Sequence, residues 1–210
     1  MYATKEQMIE EQLKRRGIKD EKVLKAMEEV DRKLFVPEEF QDKAYEDGPL
    51  PIGRGQTISQ PYIVAYMAQE LKLNPNDKVL EIGTGCGYNA AVLSKLAAQV
   101  YSIEIVDWLG ELAKENLDKT NIKNITTKTG DGYKGWPEEA PFDAIILTAA
   151  PASIPEPLKE QLKEGGRLLT PVGTTIQRLI LLEKTGENTF KKESLLPVSF
   201  VPMTGKAQSE

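Results

Sequence analysis

Residues 79–93 read VLEIGTGCGYNAAVL. A short apolar run carries a carboxylate near its end, three glycines follow at alternate positions, and an apolar segment begins behind them. That order predicts a strand turning through a glycine-rich loop into a helix, the repeating unit of a parallel α/β sheet. Glycines at such a turn let a ligand approach the backbone at the carboxyl end of a strand, where open α/β sheets bind nucleotides. The dinucleotide pattern G-x-G-x-x-G, begun at Gly83, requires glycine at position 88, and Tyr88 stands there. The pyrophosphate-binding, dehydrogenase reading therefore loses ground.

Working outward, short apolar runs alternate with helical patterns. Strands are expected at 78–82, 100–105, 125–129, 142–148 and 167–171, and helices at 88–96, 108–119 and 155–162. Beyond Gly173, strands at 178–184 and 192–201 flank a turn at Gly186-Glu187-Asn188, which predicts an antiparallel hairpin at the end of the sheet. Upstream, Thr4 and Gln7 have capping-box spacing, Met8, Ile9 and Leu13 share a face, and Gly17 suits a helix end. A second helix is expected from Asp20, burying Val23, Leu24, Met27 and Val30 and stopping before Pro37. Residues 45–60 read as a loop, long enough to suggest a function. The expected fold is α/β, a doubly wound, mostly parallel sheet with an N-terminal helical extension and C-terminal antiparallel strands. One domain spans 1–210: 1–60 as helical extension and substrate loop, 61–173 as the core, and 174–210 as terminal strands and tail.

Composition narrows the chemistry. The chain has 210 residues, 40% hydrophobic and 28% charged, enough for one substantial core. No apolar run approaches the roughly 18 residues that span a bilayer, and the start lacks a secretory hydrophobic segment, so no membrane association and a cytoplasmic location are expected. A net charge of −5 offers no long-range attraction to nucleic acid. Lys14-Arg15-Arg16 reads as a solvated helix face. The single Cys86 cannot form an internal disulfide, and the chain has no histidine. No metal site is expected, a carboxylate-bound Mg²⁺ being the one form left open. Imidazole is also missing as a general base, which excludes a Ser-His-Asp arrangement.

Two carboxylates define the ligand. Glu81 precedes the first glycine by two positions, and Glu104 lies 23 positions further on, at the end of the next expected strand. A spacing of roughly 20 residues fits a carboxylate that accepts hydrogen bonds from ribose hydroxyls. A ligand without phosphates tolerates this negative charge, and S-adenosyl-L-methionine, whose sulfonium is cationic, gains from it. Asp131-Gly132 ends the third strand, where an aspartate either caps a turn or reaches the adenine; beside the two glutamates the second role is preferred. Cys86 needs only to be small, Trp108 and Trp136 read as packing residues, and Tyr88 either touches the cofactor or covers the core.

The segments GRGQTISQP, EIGTGCGYNAAVLS, PFDAIILTAAP, QLKEGGRLLTPVG and FVPMTG, with VLKAMEEVDRKLFVPEEF near the start, together resemble the protein-L-isoaspartate (D-aspartate) O-methyltransferases over nearly the whole chain. The GQTIS loop is the most specific element. The resemblance implies a class I, Rossmann-like methyltransferase that uses S-adenosyl-L-methionine, yields S-adenosyl-L-homocysteine and esterifies the free carboxylate of L-isoaspartyl residues in damaged proteins and peptides. A monomer with no nucleic-acid partner is expected. Ser59 takes the place of the family's active-site serine, and Gln56, Thr57 and Ile58 share its loop, which closes around the cofactor's methionine and the substrate. Glu81, Glu104, Asp131, Gly132 and Thr204 fall on cofactor-contacting positions, beside the loop glycines Gly83, Gly85 and Gly87. Some members carry histidine where this chain has Val64, so residue 64 is not assigned a role.

The chemistry suits these residues. A carboxylate with a pKa near 4 is ionised at neutral pH, so the nucleophile needs no base. Ser59 is expected to orient it as a hydroxyl donor rather than attack, because no base accompanies it; on spacing alone, Ser59 or Gln60 equally suits a helix cap before Pro61. The alternatives are an S-adenosyl-L-methionine methyltransferase for another substrate, such as a nucleobase amine, and a nucleotide-binding module without catalysis. Thr148-Ala149-Ala150-Pro151 leaves room for a peptide and lacks the polar and aromatic cluster that a base amine requires.

Overall fold

The computed structural model describes residues 3–208; residues 1, 2, 209 and 210 of the expected 1–210 unit lie outside the described ones. Helix α1 (Lys5–Gln7) opens on the predicted capping box, the Gln7 N–H donating to Thr4 Oγ1 at 3.2 Å and the Thr4 N–H to Gln7 Oε1 at 2.9 Å. The run widens into a π-helical turn over Met8–Leu13, tightens over Lys14–Arg16 and ends at Gly17. Lys14 and Arg16 make exposed ion pairs with Glu10 and Asp47, as a solvated face should. Helix α2 (Glu21–Glu29) starts where Asp20 accepts from the Lys22 and Val23 N–H groups. It stops earlier than the pattern predicts. Val30 is extended, and the Asp31 carboxylate accepts from the Lys33 N–H, opening a separate 3₁₀ turn at Arg32–Phe35. An aspartate that bonds its own downstream backbone competes with helix continuation.

The expected loop at 45–60 is partly a β-hairpin. Strands β1 (Leu50–Gly53) and β2 (Gln56–Ile58) pair antiparallel, Leu50 opposite Ile58. Leu50, Ile52 and Ile58 point inward, an alternation hidden in sequence by the prolines and glycines around it. The turn Gly53-Arg54-Gly55 has φ of 99°, 53° and 71°, which glycine at two of three positions makes accessible. Helix α3 (Pro61–Leu71) follows, with proline at its first position.

The main sheet uses β3 (Lys78–Ile82), β4 (Gln99–Glu104), β5 (Ile125–Thr129), β6 (Phe142–Leu147), β7 (Leu162–Val172), β8 (Gln177–Gly186) and β9 (Thr189–Val198). Helices α4 (Tyr88–Ser94), α5 (Asp107–Asp118) and α6 (Glu156–Glu160) connect its parallel strands. Strand order is β5-β4-β3-β6-β7-β8-β9, parallel through β7 and antiparallel at β7–β8 and β8–β9. The doubly wound sheet and terminal hairpin are therefore as expected, and the hairpin strands follow β7 in chain order. Strand β7 begins at Leu162, earlier than the expected 167, by way of a register shift against β6. Successive residues of β3 and β6 serve opposite faces. Val79 and Ile146 pack with the N-terminal helices, α3 and α4; Leu80 and Ile145 pack with Leu158 of α6. Strands β4 and β6 flank β3 in opposite directions of winding, which leaves a crevice at their carboxyl ends.

Candidate functional site

That crevice holds a solvent-open cavity of about 840 Å³. Its floor is the glycine loop. Gly83 has φ of 99°, and a β-carbon there would stand 2.4 Å from Thr148 Oγ1, so only glycine lets β3 and the end of β6 close together. Thr148 Oγ1 donates to Gly83 O at 2.6 Å. From the other side, Asn116 of α5 donates to Cys86 O at 3.1 Å. Burial pushes the Cys86 thiol up to about 11, consistent with a small space-filler rather than a reactive thiolate.

Glu104 ends β4 on the cavity wall. Its Oε2 accepts from the Gly85 N–H at 2.7 Å and its Oε1 from the Val106 N–H at 2.9 Å. Two backbone donors fix the plane of the carboxylate, and its remaining lone pairs suit a pair of ribose hydroxyls. Ile103, Ile105, Val106 and Leu109 line the cavity beside it and offer apolar contact to a flat base. No lysine or arginine lines the cavity among the described residues, so the donor set suits a nucleoside with a cationic tail and not a phosphorylated one.

Glu81 lies elsewhere than a wall position. It is fully buried behind the glycine loop, where its carboxylate accepts from Ser102 Oγ at 2.5 Å and from Asn89 Nδ2 at 2.7 Å. Ser102 continues to Thr84 Oγ1 at 2.6 Å. Asn89 and Thr84 both line the cavity, so Glu81 faces the ligand through these two intermediaries. Burial raises its pKa to about 7, against the pull of its two hydrogen bonds.

Gln56, Thr57, Ile58 and Ser59 line the opposite side. Gln60, not Ser59, occupies the N-cap of α3, and its side chain turns to Asp47. The Ser59 hydroxyl is left half-buried and makes no hydrogen bond to any described residue. Ile52 covers the glycine loop, its Cδ1 standing 3.4 Å from where a β-carbon on Gly85 would be. The hairpin turn rests on Trp108, the Arg54 guanidinium 5.6 Å from the ring centroid. Trp108 is thus a packing residue, but at the rim and 45% exposed, not in the core.

The C-terminal segment supplies the remaining wall. Ala150 donates to Val201 O and accepts from the Met203 N–H, both at 2.8 Å, which brings Val201, Pro202, Met203 and Thr204 to the cavity. Gly132 lines it as well. Asp131 does not: its carboxylate caps the following turn at Tyr133 N–H and accepts from the Lys206 N–H at 2.8 Å, pinning the C-terminal segment. Gly87 also lies off the wall, packed on α5. Tyr88 is buried, edge-on to Phe35, so its core role is realised while it backs the cavity. Sequence reasoning missed Thr84, Asn89 and the apolar residues after Glu104, and left Val64, which also lines the cavity, without a role. The signal available was proximity, each flanking a motif already recognised.

Residues 3–208 match the model of a family described as protein-L-isoaspartate(D-aspartate) O-methyltransferase. The chain is 50% identical over 203 residues to a protein-L-isoaspartate O-methyltransferase of Picosynechococcus sp., covering 97% of this chain and 91% of that one. A solved protein-L-isoaspartate O-methyltransferase superposes with a TM-score of 0.87 at 32% identity, over 97% of this chain and 67% of that one. A candidate enzyme of the same kind from Plasmodium falciparum, solved in complex with S-adenosyl-L-homocysteine, gives 0.85 at 29% identity, over 96% and 99%.

Proposed function

The chain belongs to the protein-L-isoaspartate(D-aspartate) O-methyltransferase family, and from that premise we propose how its residues divide the work. The enzyme transfers a methyl group from S-adenosyl-L-methionine to the free carboxylate of L-isoaspartyl residues in damaged proteins and peptides, the step that initiates repair. The bound cofactor supplies a methyl group on a sulfonium and is left as S-adenosyl-L-homocysteine. Glu104 holds the ribose, the segment from Ile105 to Leu109 and Gly132 enclose the base, and the glycine loop with Thr84 and Asn89 receives the amino-acid end. Glu81 keeps Asn89 and Thr84 in place. Gln56, Thr57 and Ile58 close over cofactor and peptide, and Thr204 completes the wall.

Ser59 carries the reading. The residue lines the cavity and its hydroxyl has no hydrogen-bond partner among the described residues, which leaves it free to donate to an incoming carboxylate oxygen. The carboxylate arrives ionised, so this residue has only to orient it. Holding reacting atoms in line is worth up to roughly 7–11 kcal/mol in well-oriented systems. Once the hairpin closes over the ligands, it and the C-terminal segment keep water from the site, where opposite charges attract more strongly than in bulk solvent.

Labelled S-adenosyl-L-methionine offered with two peptides differing only in an aspartyl or isoaspartyl linkage tests the substrate. Label is expected on the isoaspartyl peptide alone and is expected to leave at mildly alkaline pH, as an ester does; equal labelling of both overturns the reading. Ser59→Ala is expected to lower turnover by about tenfold to a hundredfold with S-adenosyl-L-homocysteine affinity nearly unchanged. An acyl or phosphoryl adduct trapped on Ser59 would show a nucleophile instead of a donor. The same reading keeps 1–210 as one domain acting as a monomer without nucleic acid. A free, buried Cys86 suits a cytoplasmic setting, and no helix among the described residues is long and apolar enough to cross a membrane.

A further inference from the structure

Arg32 is the largest fully buried side chain among the described residues. Its guanidinium donates from Nε to Ala44 O at 2.7 Å, from Nη1 to Ser59 O at 2.8 Å and from Nη2 to Gly48 O at 3.3 Å. It also lies over the Tyr88 ring, 5.3 Å from the centroid. No carboxylate lies within ion-pair distance of it among the described residues. A buried charge is ordinarily paired, because desolvation is otherwise uncompensated. Here the charge is met only by neutral carbonyl dipoles and an aromatic face.

The location gives that arrangement a use. Ser59 and Tyr88 both line the cavity, and Arg32 touches the two of them from behind. The acidic pole of the site, Glu104 with Glu81 behind it, lies at the ends of β4 and β3. The cationic pole lies behind β2 and the start of α3. A cofactor bearing a sulfonium and a substrate bearing a carboxylate need these two poles. We propose that Arg32 is a positioning residue for the substrate carboxylate: it fixes Ser59 through its backbone carbonyl, and its unpaired charge makes this side of the cavity selective for an anion. This inference rests on the function proposed above. Its consequence is that affinity falls once the carboxylate becomes an ester, so the same charge that recruits the substrate favours release of the product.

The test compares wild type, Arg32→Lys and Arg32→Met by calorimetry. The ligands are S-adenosyl-L-homocysteine alone, then, with that compound saturating, the isoaspartyl peptide and its methyl ester. Wild type is expected to prefer the carboxylate peptide by about tenfold or more, Arg32→Met to lose the preference, and Arg32→Lys to recover it in part, with S-adenosyl-L-homocysteine affinity within about threefold throughout. In turnover, Arg32→Met added to Ser59→Ala is expected to cost less than the two separate losses multiplied, because one acts through the other. The proposal is overturned if Arg32→Met keeps the preference, if the losses multiply in full, or if both variants lose S-adenosyl-L-homocysteine binding in step with turnover, which would mark a purely architectural role. Failure of the wider reading appears separately, as a wild-type enzyme that labels aspartyl and isoaspartyl peptides alike.

Discussion

Glu81 has no contact with bulk water, and its charge is governed by what surrounds it. Folding lifts its pKa from the ordinary 4.5 to about 7, burial outweighing the hydrogen bonds from Ser102 and Asn89. Between those values the folded chain holds a proton that the unfolded chain releases. The stabilising contribution is therefore complete below about 4.5 and is lost as pH rises through about 7. Glu81→Gln does not titrate, and Ser102 can reverse its bond to accept from the amide while donating to Thr84. The variant is expected to gain on wild type by on the order of 2–3 kcal/mol between about pH 4 and pH 8. Urea unfolding at both pH values measures it, and a constant difference would show that Glu81 titrates at its ordinary value.

The β1–β2 hairpin is the element on which the proposed closure depends. It joins the N-terminal extension to the far side of the cavity through one turn, and that turn sits on Trp108 with little clearance. A β-carbon on Gly53 would meet the Trp108 ring at 2.9 Å and would also have to adopt φ of 99°. Gly53→Ala is expected to cost about 1–2 kcal/mol and to lift the hairpin from the ring. In a Trp136→Phe background Trp108 is the sole tryptophan, so its emission should shift toward that of a solvated indole. S-adenosyl-L-homocysteine affinity should fall with it, because Ile52 no longer covers the glycine loop. An unchanged spectrum with unchanged affinity would show that the hairpin does not need this contact.

At the scale of the whole molecule, the last segment is tied to three distant places. Gln177 exchanges two hydrogen bonds with Phe200, Ala150 brackets Val201 to Met203, and Asp131 holds Lys206. Truncation after Val198 leaves every strand of the sheet intact but removes one wall of the cavity. Far-UV circular dichroism is expected to remain that of a folded α/β protein while S-adenosyl-L-homocysteine affinity falls by about tenfold or more. Retained affinity would place the cofactor clear of this segment.

The sequence by itself determined the alternation of strands and helices, the glycine loop, the antiparallel end of the sheet and Glu104 as a strand-end carboxylate. Each follows from spacing within a few residues or from one βα unit, where backbone geometry and hydrophobic period act locally. The motif resemblance added Ser59 and Thr204, which no local period marks. Only the tertiary structure decided that 50–58 is a hairpin, that Glu81 lies behind the wall while Asn89 stands on it, and that Asp131 pins the C-terminal segment. It also decided the fate of Arg32. An arginine in VDRKLFVP reads as a solvated side chain. Its burial against carbonyls 12, 16 and 27 residues away is set by how the extension folds onto the sheet, and distances of that kind have no local signature.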